Sequence, residues 1–542
     1  MTDSLREVSA AGAAVAMSGS ELLCAQEAAR QASAAVAAAI VAKDAALWGP
    51  DAATEAAIRL GWLDCVEVSR PLVAEVSALR DKLRGEGVNH VVLAGMGGSS
   101  LAPEVIAATY GVELTTLDTT DPGQIALAMS DRLATTVVVV SSKSGTTIET
   151  DSHRRAYEEA LGAAGVDPAG RIVVVTDPGS PLHKLALDSG YRVFEADPNI
   201  GGRYSALSAF GLVPTGLAGV PIGELLDQAE ALVSTLSSGT DNPAFELGAA
   251  IGGFANAGHD KLVMAESGSG IIGFGDWAEQ LIAESTGKNG RGVLPVVVDT
   301  TTSPGFVVSP DTHLLTLGGD PPREGTAVSG PLGAQFLLWE FATAVAGKLI
   351  GIDPFNQPNV AESKENTKNV LDRAGSGPLP GGDPLFVDGA VEVHAGPDLL
   401  RDEADLPAAL QALLAAVGDR GYLAVMAYLN RIQDGAAARL RDALAARIAH
   451  PVTFGWGPRF LHSTGQYHKG GPPVGAFLQI TGAHSFDIEV PGQPFSFGRL
   501  QLAQALGDLT AITTRGRPVL RLHLTDRAAG IDQLLAAAGG SA

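Results

Sequence analysis

The chain has 542 residues, 46% of them apolar and 18% charged, the profile of a globular protein with room for about three domains of ~150 residues each. Its 60 acidic and 37 basic side chains leave a formal net charge of −23, spread without long like-charge runs, which excludes the concentrated basic face that nucleic acid or an anionic membrane requires. Cys24 and Cys65 are too few for a cysteine metal framework, and neither a signal segment nor an apolar run of ~18 residues is readable, so the expectation is a cytoplasmic protein with reduced thiols.

Residues 1–85 are alanine-rich with helical periodicity and read as an N-terminal helical region. Alternation of short apolar strands with helices begins at His90 and defines a first unit over 86–220: "HVVLAG", "VELTTLD", "ATTVVVVSS", "RIVVVTD" and "YRVFEAD" are strands, and "SSLAPEVIAATYG" and "TTIETDSHRRAYEEALGAAG" are helices between them. A second cycle, 221–374, carries the strand "KLVMAES", the helix "GDWAEQLIAESTG", the strands "GVLPVVVDT" and "THLLTLG", and the long helix "GAQFLLWEFATAVAGKLIG". The Gly/Pro stretch "GSGPLPGGDP" then opens a C-terminal extension, 375–542, of the same mixed character. Continuous apolar strands alternating with helices predict an α/β protein: two α/β/α sandwiches with parallel sheets, plus an α/β extension.

Two loops carry chemistry. In "VVVVSSKSGTTIET" a buried strand runs into Ser142, Lys143, Ser144, Gly145, Thr146 and Thr147. Ligands of open parallel sheets bind beyond the carboxyl ends of the strands, where helix N-termini offer unpaired N–H groups. Hydroxyls, a glycine and one ammonium exceed what helix capping needs and suit a phosphate-sized anion. The second loop, "AGMGGSSLAPEV", shares Gly95 and Gly97 with the dinucleotide fingerprint, and Asp118 ends the next strand, but Ser100 occupies the third glycine position. That loop equally suits a sugar phosphate, through Ser99 and the Gly97–Gly98 backbone. "STGKNG" fails as an ATP loop because Asn289 replaces the Ser or Thr and Ile282 the first glycine. The 11 histidines form no ligand-spaced cluster, and neither metal nor cofactor is expected.

Taken together, five segments resemble the glucose-6-phosphate isomerase family, which is built from two sugar-isomerase (SIS) domains. They are "GMGGSSLAP", "SKSGTTIET", "GGRYSALSAFGL", "LIAESTGKNGRGVLP" and "DPFNQPNVAESK", in family order from residue 95 to residue 364. The resemblance implies an aldose–ketose isomerase acting on a small-molecule sugar phosphate through a cis-enediolate. In that reading Glu284 is the base that moves the proton between carbons, and Arg203, beside Gly202, stabilises the enediolate charge. Gly98, Ser99, Ser142, Lys143, Ser144 and Thr147 would hold the substrate's phosphate end, while Gln357 and Lys364 share one helical face, Lys364 assisting ring opening. A homodimer is implied by the same resemblance.

The chain also departs from the family. Asn356, Asn359 and Ala361 replace its Asp, Gly and Glu, and Glu362 is displaced by one. The family's ring-opening histidine falls between the base and the lysine segment, where this chain has only His313, in "SPDTHLLTLGG". Far downstream, "HPVTFGWGPRFLHSTGQYHKGG" is similar to the family's L-H-S-x-G-Q segment and points to His462. That order resembles the isomerase part of transaldolase–isomerase fusion proteins. Two other classes stay open: a non-catalytic SIS-domain sugar-phosphate sensor, which needs the hydroxyl loop alone, and an NAD-dependent dehydrogenase resting on "GMGGSS" and Asp118.

Overall fold

In the computed structural model, residues 5–33, 35–238, 242–396, 398–400 and 405–539 are described. The N-terminal stretch departs from the helical expectation at once. β1 (Leu5–Ala10) and β2 (Ala13–Ser18) form a hairpin around the two-residue turn Ala11–Gly12, and only then do the helices Ser20–Ala32 and Val36–Val41 follow. Alanine richness suggested helix, but the side chains of β2 alternate between buried and half-buried faces with a period of two, and tertiary pairing decides the outcome.

The first α/β unit holds five parallel strands: β3 (His90–Gly95), β4 (Thr115–Leu117), β5 (Thr136–Ser141), β6 (Ile172–Thr176) and β7 (Arg192–Glu195), in the spatial order β4-β3-β5-β6-β7. The strand order reverses between β3 and β5, so a crevice forms where their carboxyl ends diverge. The two loops singled out above leave those two ends.

The second unit repeats the arrangement with β8 (Lys261–Glu266), β9 (Leu294–Thr300), β10 (Thr312–Leu317) and β11 (Gly325–Ser329) in the parallel order β9-β8-β10-β11. The N-terminal hairpin adds antiparallel to β11 and completes a six-stranded sheet. The helix Leu332–Ile350 is buried on almost every side because the helices Ile222–Val233 and Pro243–Asn256 flank it. Those two flanking helices lie in a stretch for which the sequence reading assigned no element.

The extension builds a third sheet. β12 (Phe386–Asp388) and β13 (Val391–Ala395) run antiparallel at one edge of β17 (Val519–Leu524), followed by β16 (Gly475–Gly482), β14 (Tyr422–Tyr428) and β15 (Val452–Trp456), these last four mutually parallel. Both faces of β14 are covered. Leu423, Val425 and Ala427 point into the extension's own core, whereas Tyr422, Ala424 and Met426 pack with Phe477 against Val263, Leu294 and Val296 of the second unit. That shared core explains why "GYLAVMAYL" is apolar without interruption. Among the described residues no helix is long and apolar enough to cross a membrane.

Phe477 is fully buried in this shared core. Phe477→Ala is expected to cost about 3–5 kcal/mol of stability in a denaturant titration. A loss below about 1 kcal/mol would show that the two sheets do not depend on each other.

Candidate active site

Beyond the carboxyl ends of β3 and β5 lies a cavity of about 540 Å³. Residues picked out in the sequence line it: Gly98 and Ser99 from the loop after β3, Ser142, Lys143, Ser144 and Thr147 from the loop after β5, Gly202 and Arg203 from the turn after β7, Glu284, Gln357, Lys364 and His462. Glu55 and Arg59, from the helix Ala53–Arg59, also line it and were not anticipated.

The hydroxyl loop is held by its own bonds. Ser142 Oγ donates to Thr147 Oγ1 at 3.1 Å, and Ser144 Oγ lies 2.9 Å from Thr146 Oγ1. Gly145 has φ +66°, and a Cβ there would meet the Leu182 backbone nitrogen at 2.7 Å, so glycine is required. The helix Ile148–Ala163 starts immediately afterwards and directs its N-terminal N–H groups toward the loop. Lys143 Nζ is already engaged: it donates to Asp177 Oδ2 at 2.7 Å, and both groups line the cavity. Burial pulls the Lys143 ammonium below its ordinary range and pushes the Asp177 carboxyl above its own, each change opposed by the pairing between them.

The loop after β3 packs against the turn after β7 backbone to backbone. A Cβ on Gly98 would collide with the Gly202 carbonyl, so glycine here answers a close approach of the two backbones. This contact delivers Arg203, which is 3% exposed and has every arm of its guanidinium occupied. Nε donates to Ser285 Oγ at 2.8 Å, Nη1 to Gln357 Oε1 at 2.8 Å, and Nη2 to the carbonyls of Pro354 at 2.7 Å and Asn356 at 3.1 Å. Nη1 also stands 3.8 Å from Glu284 Oε2. Glu284 sits on the helix Phe274–Thr286, 5% exposed, where Oε2 accepts from Gln280 Nε2 at 3.1 Å. It is no surface glutamate. Lys288, after the same helix, donates to the carbonyls of Asp353 and Asn356 at 2.7 and 2.5 Å, and burial holds its ammonium well below the usual lysine range.

The histidine comes from the extension, within the same chain. His462 ends a short turn, Arg459–His462, after β15, and Nε2–H donates to Glu149 Oε1 at 3.0 Å. Burial alone would raise the Glu149 carboxyl, but the neighbouring His462, the carboxylate's own backbone N–H and the Lys364 charge outweigh it and bring the value down to about 2. Lys364 lies on the helix Pro358–Ala374 and, among the described residues, donates no hydrogen bond. Gln466, four residues after His462, clamps this region. Its Nε2 donates to Gly287 O at 2.9 Å and Asn359 Oδ1 at 2.8 Å, and its Oε1 accepts from Asn359 N at 2.9 Å. His313 lies elsewhere, buried within β10 with Nε2 2.8 Å from Thr326 Oγ1, where burial lowers its pKa to about 3. Sequence reasoning missed Glu149, Gln280 and Gln466. The signal was present for all three: Glu149 stands near the end of "SKSGTTIET", Gln280 precedes Glu284 by one helical turn, and Gln466 closes the L-H-S-x-G-Q segment.

Part of the chain is similar to known proteins. The phosphoglucose isomerase family profile matches residues 75–257, which contain both the hydroxyl-rich loop and Arg203. Across that region the chain is similar to the phosphoglucose isomerase family. A probable glucose-6-phosphate isomerase of Haloquadratum walsbyi is 32% identical over 233 residues, 42% of this chain and 54% of the relative; the chain thus spans about half of that relative's length. A glucose-6-phosphate isomerase of Clostridium novyi is 27% identical over 399 residues, covering 58% of this chain and 87% of the other. Among solved structures, a glucose-6-phosphate isomerase from Chlamydia trachomatis superposes with a TM-score of 0.54 at 19% identity, over 68% of this chain and 90% of that one, which shows a shared fold.

Two departures from the phosphoglucose isomerase pattern find partners here. Asn356 Oδ1 accepts from Lys288 Nζ at 2.9 Å, and Asn359 takes both ends of the Gln466 amide, so each substituted position serves the loop that presents Gln357. The dinucleotide reading loses its acidic residue: Asp118 is 1% exposed and ion-paired with Arg459 and Arg431, a buried carboxylate that does not face a ligand. Among the described residues the one group with metal-ligand proximity is His90, Glu113 and Asp131, within 4.8 Å of one another; Arg132 bridges its two carboxylates, and His90 begins β3, the end opposite the cavity.

Its partners hold the Glu149 carboxyl down to about 2, against an ordinary glutamate value of 4.5. A depressed carboxylate contributes stability that is complete above 4.5 and lost as pH falls toward 2. Thermal unfolding followed from pH 6 downward is expected to show a shallower loss below about pH 4.5 for Glu149→Gln than for the unaltered chain. Parallel curves would mean that the carboxylate is not held ionised.

Proposed function

We propose that the chain is a cytoplasmic glucose-6-phosphate isomerase, interconverting glucose 6-phosphate and fructose 6-phosphate without cofactor or metal. The observation that carries this reading is a buried carboxylate, Glu284, 3.8 Å from the immobilised guanidinium of Arg203, in one cavity with the hydroxyl loop. The loop's hydroxyls and the N-terminus of the helix Ile148–Ala163 receive the phosphate and so fix where the sugar carbons lie. His462, its imidazole oriented by Glu149, and Lys364 move protons on and off the ring oxygen and the anomeric hydroxyl, opening the ring. Glu284 takes the proton from C2 and returns it to C1. The negative charge that develops on the enediolate oxygens faces Arg203, whose position costs no reorganisation because every arm is already bonded. A second copy of the chain is the expected partner, by resemblance, although His462 reaches this cavity from its own chain.

The test is conversion of fructose 6-phosphate to glucose 6-phosphate with a chelator present. The unaltered chain is expected to turn over, and Glu284→Gln to lose at least ~10²-fold in kcat with its fold intact, the scale of a general base. An inactive chain that still binds the sugar phosphate would make it a sensor instead.

A further inference from the structure

Between the helix Pro358–Ala374 and the extension, a second cavity of about 550 Å³ adjoins the first, and His462 and Lys364 line both. On its far wall stands Gln504, from the helix Phe497–Thr513, 2% exposed. Gln504 Nε2 donates to Glu149 Oε1 at 2.7 Å, the same oxygen that receives His462. Its other end is locked as well: Thr120 Oγ1 donates to Gln504 Oε1 at 2.8 Å. A hydroxyl hydrogen on the amide oxygen leaves only the NH2 group to face the carboxylate, so this chain of bonds has one direction.

We propose that Gln504 is a positioning residue for the ring-opening histidine: the extension, besides supplying His462, supplies the donor that fixes the carboxylate orienting it. A carboxylate oxygen shared by two donors cannot rotate to follow either of them, so the imidazole keeps one angle toward the cavity. Thr120 follows Asp118 at the end of the strand region of the first unit, while Gln504 belongs to the extension, so the pair is assembled only when the two parts dock. The proposal rests on the isomerase reading for its kinetic consequence, not for its geometry.

Gln504→Leu removes the donor, and Gln504→Glu keeps the shape and the Thr120 bond but removes the donor once its own carboxyl ionises. The groups facing Glu149 are His462, Lys364, His153 on its own helix and Tyr428 from β14. Gln504→Leu is expected to lower kcat for fructose 6-phosphate about tenfold or more with KM changed less than about threefold, as for an interaction that orients a catalytic group. For Gln504→Glu, kcat relative to the unaltered chain is expected to rise as pH falls, because protonation beside a second carboxylate restores an O–H donor. A purely structural role predicts a flat ratio. Independently of turnover, carbethoxylation of His462, mapped by mass spectrometry, is expected to be roughly threefold faster or more in Gln504→Leu, since the imidazole is then less firmly held. An unchanged modification rate, a pH-independent ratio or a loss confined to KM would each overturn the proposal. If the unaltered chain does not turn over fructose 6-phosphate, the functional reading fails, and the modification rate still decides the role of Gln504.

Discussion

Arg203 is the side chain on which the rest of the site depends. A guanidinium that is 3% exposed must have its N–H groups satisfied, and here the acceptors come from different stretches of chain: Ser285 beside Glu284, Gln357 at the head of the helix that carries Lys364, and the carbonyls of Pro354 and Asn356 between them. Moving any one of these would strand a buried donor. Lys288 braces the same loop, bonded to Asp353 and Asn356. The result is a rigid electropositive floor within a chain of net charge −23. The two facts are compatible because surface carboxylates are screened over about 8 Å at physiological ionic strength, whereas the buried groups are not.

The extension is part of the site rather than an appendage to it. Its strand β14 has no solvent face: one side builds the extension's own core and the other completes that of the second unit. On the first unit it is held by charge, where Arg459 bridges Glu104 and Asp118, and Arg431 reaches both. Burial would raise the Glu104 carboxyl, yet the two guanidinium groups bring it down to about 2. A buried network of this kind contributes geometry more than stability, since desolvation offsets much of the attraction. The geometry it secures is that of the turn Arg459–His462, one end pinned to the first unit and the other carrying the imidazole into the cavity.

Local chemistry explains what was legible beforehand. The apolar strands, the helices between them and the two glycine- and hydroxyl-rich loops declare themselves through periodicity and turn residues that act within a few positions. The hairpin at Leu5–Ser18 did not, because its alanines favour helix locally and its pairing partner, β11, is some 300 residues away in sequence. Lys143 illustrates a different limit. Its place in the loop was readable, but its engagement by Asp177 depends on β6 running alongside β5.

The sequence by itself determined the fold class, the two loops at the switch point of the first sheet, and the residue types that reach the cavity, since each of these follows from short-range pattern. Only the tertiary structure decided which histidine reaches the cavity, that Glu149 orients it, that Asp118 is spent on Arg459, and that Gln466 and Gln504 hold the assembly from the extension. Those outcomes rest on distances between segments far apart along the chain, and such distances are set by which apolar faces the sheets bury against one another, not by any local propensity.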